Sequence, residues 1–188
     1  MAVDSVVASA ASQVTGAIRQ AAHSTGASFE YLLTTARIES NLNPAAQAST
    51  SSATGLYQFI DQTWLATVKE AGPSHGLGRY AAAIMQADDG HFDVPDPAMR
   101  NAIMKLRADP SVSAVMAGAF TRNNSALLSS ALGRAPTEGE LYIAHFLGRD
   151  GASKLVSAAA SRPQPAAADL FPQAAAANKS IFYDRLGR

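Results

Sequence analysis

The side chains able to do chemistry gather in one short stretch, with a later echo. Glu39 stands near the end of an otherwise apolar run, directly after Ile38. A carboxyl in a half-buried cleft wall is shielded from water on one side, which disfavours its charged form. A carboxyl that keeps its proton can hand it to a leaving oxygen. Taken alone, a glutamate in such a place is most often a solvated side chain, so its neighbours decide. Ser40 can orient Glu39 or simply bond its own helix end. Gln58 offers an amide donor and an amide acceptor. Tyr57 and Phe59 alternate onto one face and fit either a cleft wall or the core. Trp64, the only tryptophan, reads as core more readily than as a platform for a ring ligand. His145 is either a hydrogen-bonding group of a site or a satisfied, half-buried residue. Tyr142, one turn before Phe146, is expected to pack on it.

Other chemistries are less well served. The acidic stretch 88–96 is rich in carboxylates of the kind hard cations prefer. Its spacing does not fit a calcium-binding helix-loop-helix motif, Asp96 is better explained as a helix cap, and a solvated loop is expected with no metal and no cofactor. The chain has no cysteine, which removes disulfides, thiolate metal sites and cysteine nucleophiles together.

The elements that must carry these residues are helical. Alanine is abundant and β-branched runs are scarce. Apolar residues at Val3, Val6, Val7, Ala10, Val14, Ala17, Ile18 and Ala21 recur at helical spacing, and Thr25-Gly26 ends that run. Ser28 is placed to cap a second helix through Phe29, Leu32, Leu33, Ala36 and Ile38, which should end near Asn41 because Asn43 precedes Pro44. Residues 44–56 read as a small-polar loop, and 56–60 as a strand or an extended turn. Helices are expected over 62–70, with Asp61 as its cap, and over 79–86. Asp96-Pro97 and Asp109-Pro110 each place an acidic cap before a proline at the first helical position, the first opening a helix to about Ala108. Thr137 with Glu140 forms a capping-box pattern before a helix interrupted by Gly148 and Gly151, and another helix follows over 152–160. No internal repeat is visible. The fold class is all-α, or mainly α with a minimal β element.

With these elements in place, Glu39-Ser40-Asn41-Leu42-Asn43-Pro44, the small-polar loop, Gly55-Leu56-Tyr57-Gln58-Phe59 and Thr63-Trp64 together resemble the signature of the transglycosylase SLT domain family. The resemblance covers residues 28–70 and resumes at Ala144-His145-Phe146-Leu147-Gly148. There His145 and Phe146 stand where many relatives have tyrosine and asparagine, as in flagellum-associated or phage-type variants. Ser52-Ala53 stands where relatives usually have Gly-Ala.

The resemblance implies a lysozyme-like single domain over 1–160, with an N-terminal helix at 1–24 and an Ala/Pro-rich tail at 161–188 packed on it. It implies a cleft for peptidoglycan glycan strands. Glu39 would be the catalytic acid, and Ser40, Gln58, Tyr57, Phe59, His145 and Tyr142 the substrate-binding residues. Glu39 would protonate the glycosidic oxygen and then, as base, draw the proton from the muramyl C6 hydroxyl, giving a 1,6-anhydro product. Ordinary glycosidases need two carboxylates. Asp61, Glu138 and Glu140 are the candidates for a second, and each is better explained as a cap or a solvated group. A hydrolytic muramidase and a non-catalytic peptidoglycan-binding module of an envelope machine stay open as alternatives.

Bulk properties agree with this. Hydrophobic residues at 47% are enough for a core, and fifteen basic against fifteen acidic residues give no net charge, which argues against a nucleic-acid partner. No apolar run is long enough to span a membrane, and the first residues lack a secretory signal. The expected place is nonetheless the periplasm or cell wall, where the substrate is. A flagellar or secretion apparatus protein is the expected macromolecular partner, met through the alanine-rich ends, 1–22 and 161–178.

Overall fold

The computed structural model describes residues 2–161 and 167–177. In chain order the described elements are α1 (Ala2–Thr25), α2 (Phe29–Ser40), α3 (Asp61–Ala71), α4 (Gly78–Ala83), β1 (Met85–Gln86), β2 (Phe92–Asp93), α5 (Pro97–Lys105), α6 (Pro110–Leu132), α7 (Glu138–Ser161), α8 (Ala167–Leu170) and α9 (Pro172–Ala177). The architecture is mainly α with one small antiparallel sheet, in which Met85 faces Asp93 and Gln86 faces Phe92. Among the described residues, no helix is long and apolar enough to cross a membrane. The chain divides into two compact units, residues 1–122 and 123–188, with the division inside α6.

In the first unit α1 buries Val14, Ile18 and Ala21, a four-then-three spacing that makes one helical stripe, and it packs on α2. The left-handed Gly26 (φ 72°) closes α1. Ser28 caps α2 as expected, its Oγ accepting from the Tyr31 N–H at 3.1 Å. The end of α2 also falls where expected but for another reason. Asn41 and Leu42 both turn left-handed (φ 52° and 61°). Their N–H groups donate back to Arg37 O at 3.0 Å and Ala36 O at 3.2 Å, closing the helix before Pro44 could act. Trp64 is fully buried on α3, its indole N–H donating to Ile103 O at 2.9 Å, so the core reading of this residue holds.

Two local expectations are corrected. Asp61 does not cap α3. It is the first helical residue, and its own N–H is taken by the Ser52 hydroxyl at 3.1 Å, which leaves its carboxylate to pair elsewhere. The helix expected over 79–86 ends at Ala83, and Met85-Gln86 enters the small sheet instead. Lys69 Nζ donates to Ala81 O (3.2 Å) and Ile84 O (2.7 Å), satisfying the carbonyls left by the short helix. The Gln62 amide pins Phe92 on both sides, donating to its O and accepting from its N–H, each at 2.9 Å, as a neighbouring strand would.

Asp96 and Asp109 cap α5 and α6, each through Oδ1 to the next N–H groups. α5 stops at Lys105, however, and residues 106–108 tighten into a 3₁₀ turn.

In the second unit, Leu128, Ala144 and Ala152 form a buried cluster with Leu132, Leu141 and Ile143 against it. The capping box is realised: Glu140 accepts from the Thr137 N–H at 2.8 Å, and Glu140 N–H donates to the Thr137 hydroxyl at 3.2 Å. The break in α7 is at Gly148 alone (φ 72°, ψ 165°), while Gly151 stays helical. Of the expected tail, the described part carries α8 and α9, and 162–166 and 178–188 lie outside the described residues.

Candidate active site

Glu39 lies in the last turn of α2, half-buried. The residue before it, Ile38, is 61% exposed, so this side of the helix end faces outward. Ser40 turns the other way. Its hydroxyl reaches both Ala36 O at 3.0 Å and Leu56 O at 2.9 Å. The first bond is local and any helical serine can make it. The second joins the Glu39 turn to the Gly55-Leu56-Tyr57-Gln58 turn, sixteen residues away in sequence.

That second turn is tightly constructed. Gly55 is left-handed (φ 84°), and a Cβ placed there would collide with the Arg107 carbonyl, so both backbone shape and space require glycine. Its N–H donates to Ala46 O at 2.8 Å, and Thr54 N–H donates to Phe59 O at 3.3 Å. Thr54 makes single antiparallel bridges to Gln47 and to Phe59, so residues 47–59 form a doubled-back loop and not a strand. Gln58 is also left-handed (φ 49°). Its Nε2 donates to Gly55 O at 2.9 Å and Ala46 O at 3.3 Å. Two carbonyls facing one end of the amide fix its orientation, so the donor is committed to the loop.

Tyr57 and Phe59 share a face, and it is the inner one. They are 1% and 2% exposed. Phe59 packs on Trp64 with ring centroids 5.4 Å apart and on Phe120 at 5.7 Å. Both residues pack inward beneath the turn, the core alternative of the two expected for them. The Tyr57 hydroxyl is buried with no hydrogen-bond partner among the described residues. Burial, with Tyr31 beside it, holds its ionisation well above the ordinary phenol range.

Three non-glycine residues near Glu39 (Asn41, Leu42 and Gln58) hold positive φ. Backbone of this kind costs on the order of 1–3 kcal/mol per residue and persists only where its surroundings over-determine it. The surroundings here include a residue that no motif or spacing had singled out. Arg107, in the 3₁₀ turn after α5, is buried, with 8% of its side chain exposed. Its Nη1 donates to Ser52 O at 2.8 Å and Phe59 O at 2.9 Å, and Nε donates to Met104 O at 3.3 Å. Nη1 also lies 3.0 Å from Asp61 Oδ1, while Arg100 approaches Asp61 Oδ2 at 3.4 Å. Reading α5 as continuing to Ala108 concealed this, since the inward turn of Arg107 depends on the helix tightening at residue 106.

The later motif residues belong to the second unit. Tyr142 and His145 are half-buried and stacked, with centroids 6.2 Å apart and planes 13° apart. Tyr142 stacks on the residue three positions on, and Phe146 is 41% exposed.

Of the candidate second carboxylates, Asp61 is held by two arginines, and Glu140 is held by Arg134 at 2.7 Å and by the capping box. Glu138 is exposed in the first turn of α7. Among the described residues, no group of histidine, aspartate and glutamate is placed to hold a metal ion.

A mainly α, lysozyme-like fold with a half-buried glutamate at a helix end, latched to a glycine-opened turn, defines the class of protein. Residues 16–92 match the transglycosylase SLT domain family. The match runs from within α1 to the first residue of β2, and includes Glu39, Ser40, Tyr57, Gln58 and Phe59. The family is of the lytic transglycosylase type, acting on peptidoglycan by cleaving its glycosidic bonds.

Proposed function

We propose that this protein is a peptidoglycan lytic transglycosylase with Glu39 as its general acid and base. It would cut the β-1,4 bond between N-acetylmuramic acid and N-acetylglucosamine, working in the periplasm or cell wall. Glu39 gives its proton to the glycosidic oxygen as the bond to the anomeric carbon breaks. The muramyl C6 oxygen then bonds to that carbon, and its proton returns to Glu39. No water is consumed, the acid is regenerated, and the product is a 1,6-anhydromuramyl end.

The observation that carries this reading is the Ser40 bond to Leu56 O. It joins the two halves of the signature directly beside Glu39, and so gives both members of the Glu-Ser pair a reason to be adjacent. The Gln58 Oε1, with its donor committed to the loop, is an acceptor suited to an N-acetyl N–H or a sugar hydroxyl. The commitment of Asp61 and Glu140 to ion pairs favours a one-carboxylate reaction over the hydrolytic one, which needs a second acid or a positioned water.

The test is release of soluble fragments from purified sacculi by wild type and by Glu39→Gln. Loss of a general acid lowers such rates by roughly 10²–10⁴-fold. Equal release by the two proteins would sink the assignment of Glu39.

A further inference from the structure

We infer that Arg107 is a positioning residue for the Glu39 site: by gripping the 52–59 loop from inside, it holds the turn on which Ser40 and Gln58 depend. The inference rests on the reading of Glu39 as the general acid.

Arg107 touches this loop with both its ends. Its guanidinium takes the carbonyls of Ser52 and Phe59, the two ends of the loop, at 2.8 and 2.9 Å. Its own backbone carbonyl lies against Gly55 at the loop's middle, in the space a Cβ would need. Asp61 neutralises the guanidinium from the first turn of α3 at 3.0 Å, while Ser52, already held by its carbonyl, takes the Asp61 N–H through its hydroxyl. The loop, the start of α3 and the turn after α5 therefore meet at the buried Arg107 guanidinium.

Downstream of that node are the site's two polar placements. Leu56 O, which receives Ser40, and Gly55 O, which receives the Gln58 amide, both lie between the gripped carbonyls. The left-handed Gln58 is the strained element that the grip must restrain. A lysine could keep the charge opposite Asp61, but it lacks the planar fork that serves several acceptors at fixed angles. Other polar features carry less. The Tyr57 hydroxyl is buried without a hydrogen-bond partner among the described residues, and the exposed acidic hairpin 85–93 spends Asp89 and Asp93 on the His91 N–H and on Arg100.

The test compares full-length wild type, Arg107→Lys and Ile103→Val, the last a buried core change that leaves every loop bond in place. Two quantities are read: the maximal rate and half-saturating amount of sacculi, and the hydrogen exchange of the Thr54, Gly55 and Gln58 amides against those of α2 and α6. In Arg107→Lys the maximal rate should fall by about tenfold or more, since a displacement of the order of an ångström at a site can cost that much. Half-saturation should change little, and only the loop amides should exchange faster. Ile103→Val should keep its rate. Wild-type rate and loop exchange in Arg107→Lys would overturn the inference, as would an equal loss of rate in Ile103→Val. If Arg107→Lys does not fold, Asp61→Asn takes its place, with a several-fold loss of rate and faster loop exchange expected. Unchanged values there overturn the inference just as firmly. Equal activity of Glu39→Gln and wild type would instead bring down the general-acid reading, and loop exchange would still report whether the grip exists.

Discussion

Arg107 with Asp61 and Arg134 with Glu140 are both arginine–carboxylate pairs near the start of a helix, and they do different work. Arg134 is half exposed, and its partner lies six residues along the chain at 2.7 Å. Among the described residues the bonds of that pair are local: the Ala135 carbonyl, the Thr137 capping box and the first turn of α7. Arg107 is buried, and apart from the nearby Met104 O its partners lie 46 to 55 positions away, at Asp61, Phe59 and Ser52. An exposed pair of the first kind contributes little, because water and salt screen it. A buried cation of the second kind is costly unless it is paired and hydrogen-bonded, and here Asp61 pairs it while its Nη1 donates to the Ser52 and Phe59 carbonyls of the loop. Ion pairing by itself therefore says little about function. What matters is how far apart in sequence the partners are and whether strained backbone depends on them.

The largest effect that would break this contrast is at Gly55. Gly55→Ala must adopt positive φ and meets the Arg107 carbonyl. It should cost about 2–4 kcal/mol by denaturant unfolding, and abolish most fragment release. A stable, active Gly55→Ala would mean that the loop is not held as described.

Next comes the second unit's cap. Thr137→Ala removes the hydroxyl that accepts the Glu140 N–H and should cost about 1 kcal/mol without altering the rate per folded molecule. Glu140 also sharpens the contrast through pH. Hydrogen bonding to Arg134, and then to the Thr137 N–H, lowers its pKa from 4.5 to about 2. A group depressed on folding contributes stability above its unfolded value and loses it as pH falls through its folded value. The difference in melting temperature between wild type and Glu140→Gln should be complete above 4.5 and vanish on descending to about 2. A difference that stays constant over that range would place the stabilisation elsewhere.

The smallest effect expected is for Tyr57→Phe. The hydroxyl is buried and unpartnered, so removing it should leave stability within about 1 kcal/mol of wild type, or raise it, with activity retained. A large loss of activity would return Tyr57 to the substrate side of the turn.

These contrasts also explain what could be read from the chain beforehand. Local signals were legible: Ser28, Asp96, Asp109 and the Thr137–Glu140 box cap the helices they were expected to cap, because a cap and its target are two or three residues apart. The Glu39 and Gly55–Phe59 segments were legible as a pattern. The direction of side chains within them was not, since period-two alternation puts Tyr57 and Phe59 on one face without saying which. Asp61 does not act as the expected cap because its partner, Arg107, is 46 positions away, and no spacing rule links the start of α3 to the turn after α5. The short sheet was hidden for a related reason: Gln62, not a third strand, supplies its outer hydrogen bonds.

The most direct test of the account is mass spectrometry of the soluble fragments released from sacculi, with Glu39→Gln alongside wild type. Wild type should yield muramyl ends one water lighter than hydrolysed ends, and the mutant should yield almost none. Ends of full hydrolysed mass would contradict the one-carboxylate mechanism and require a second group to activate water.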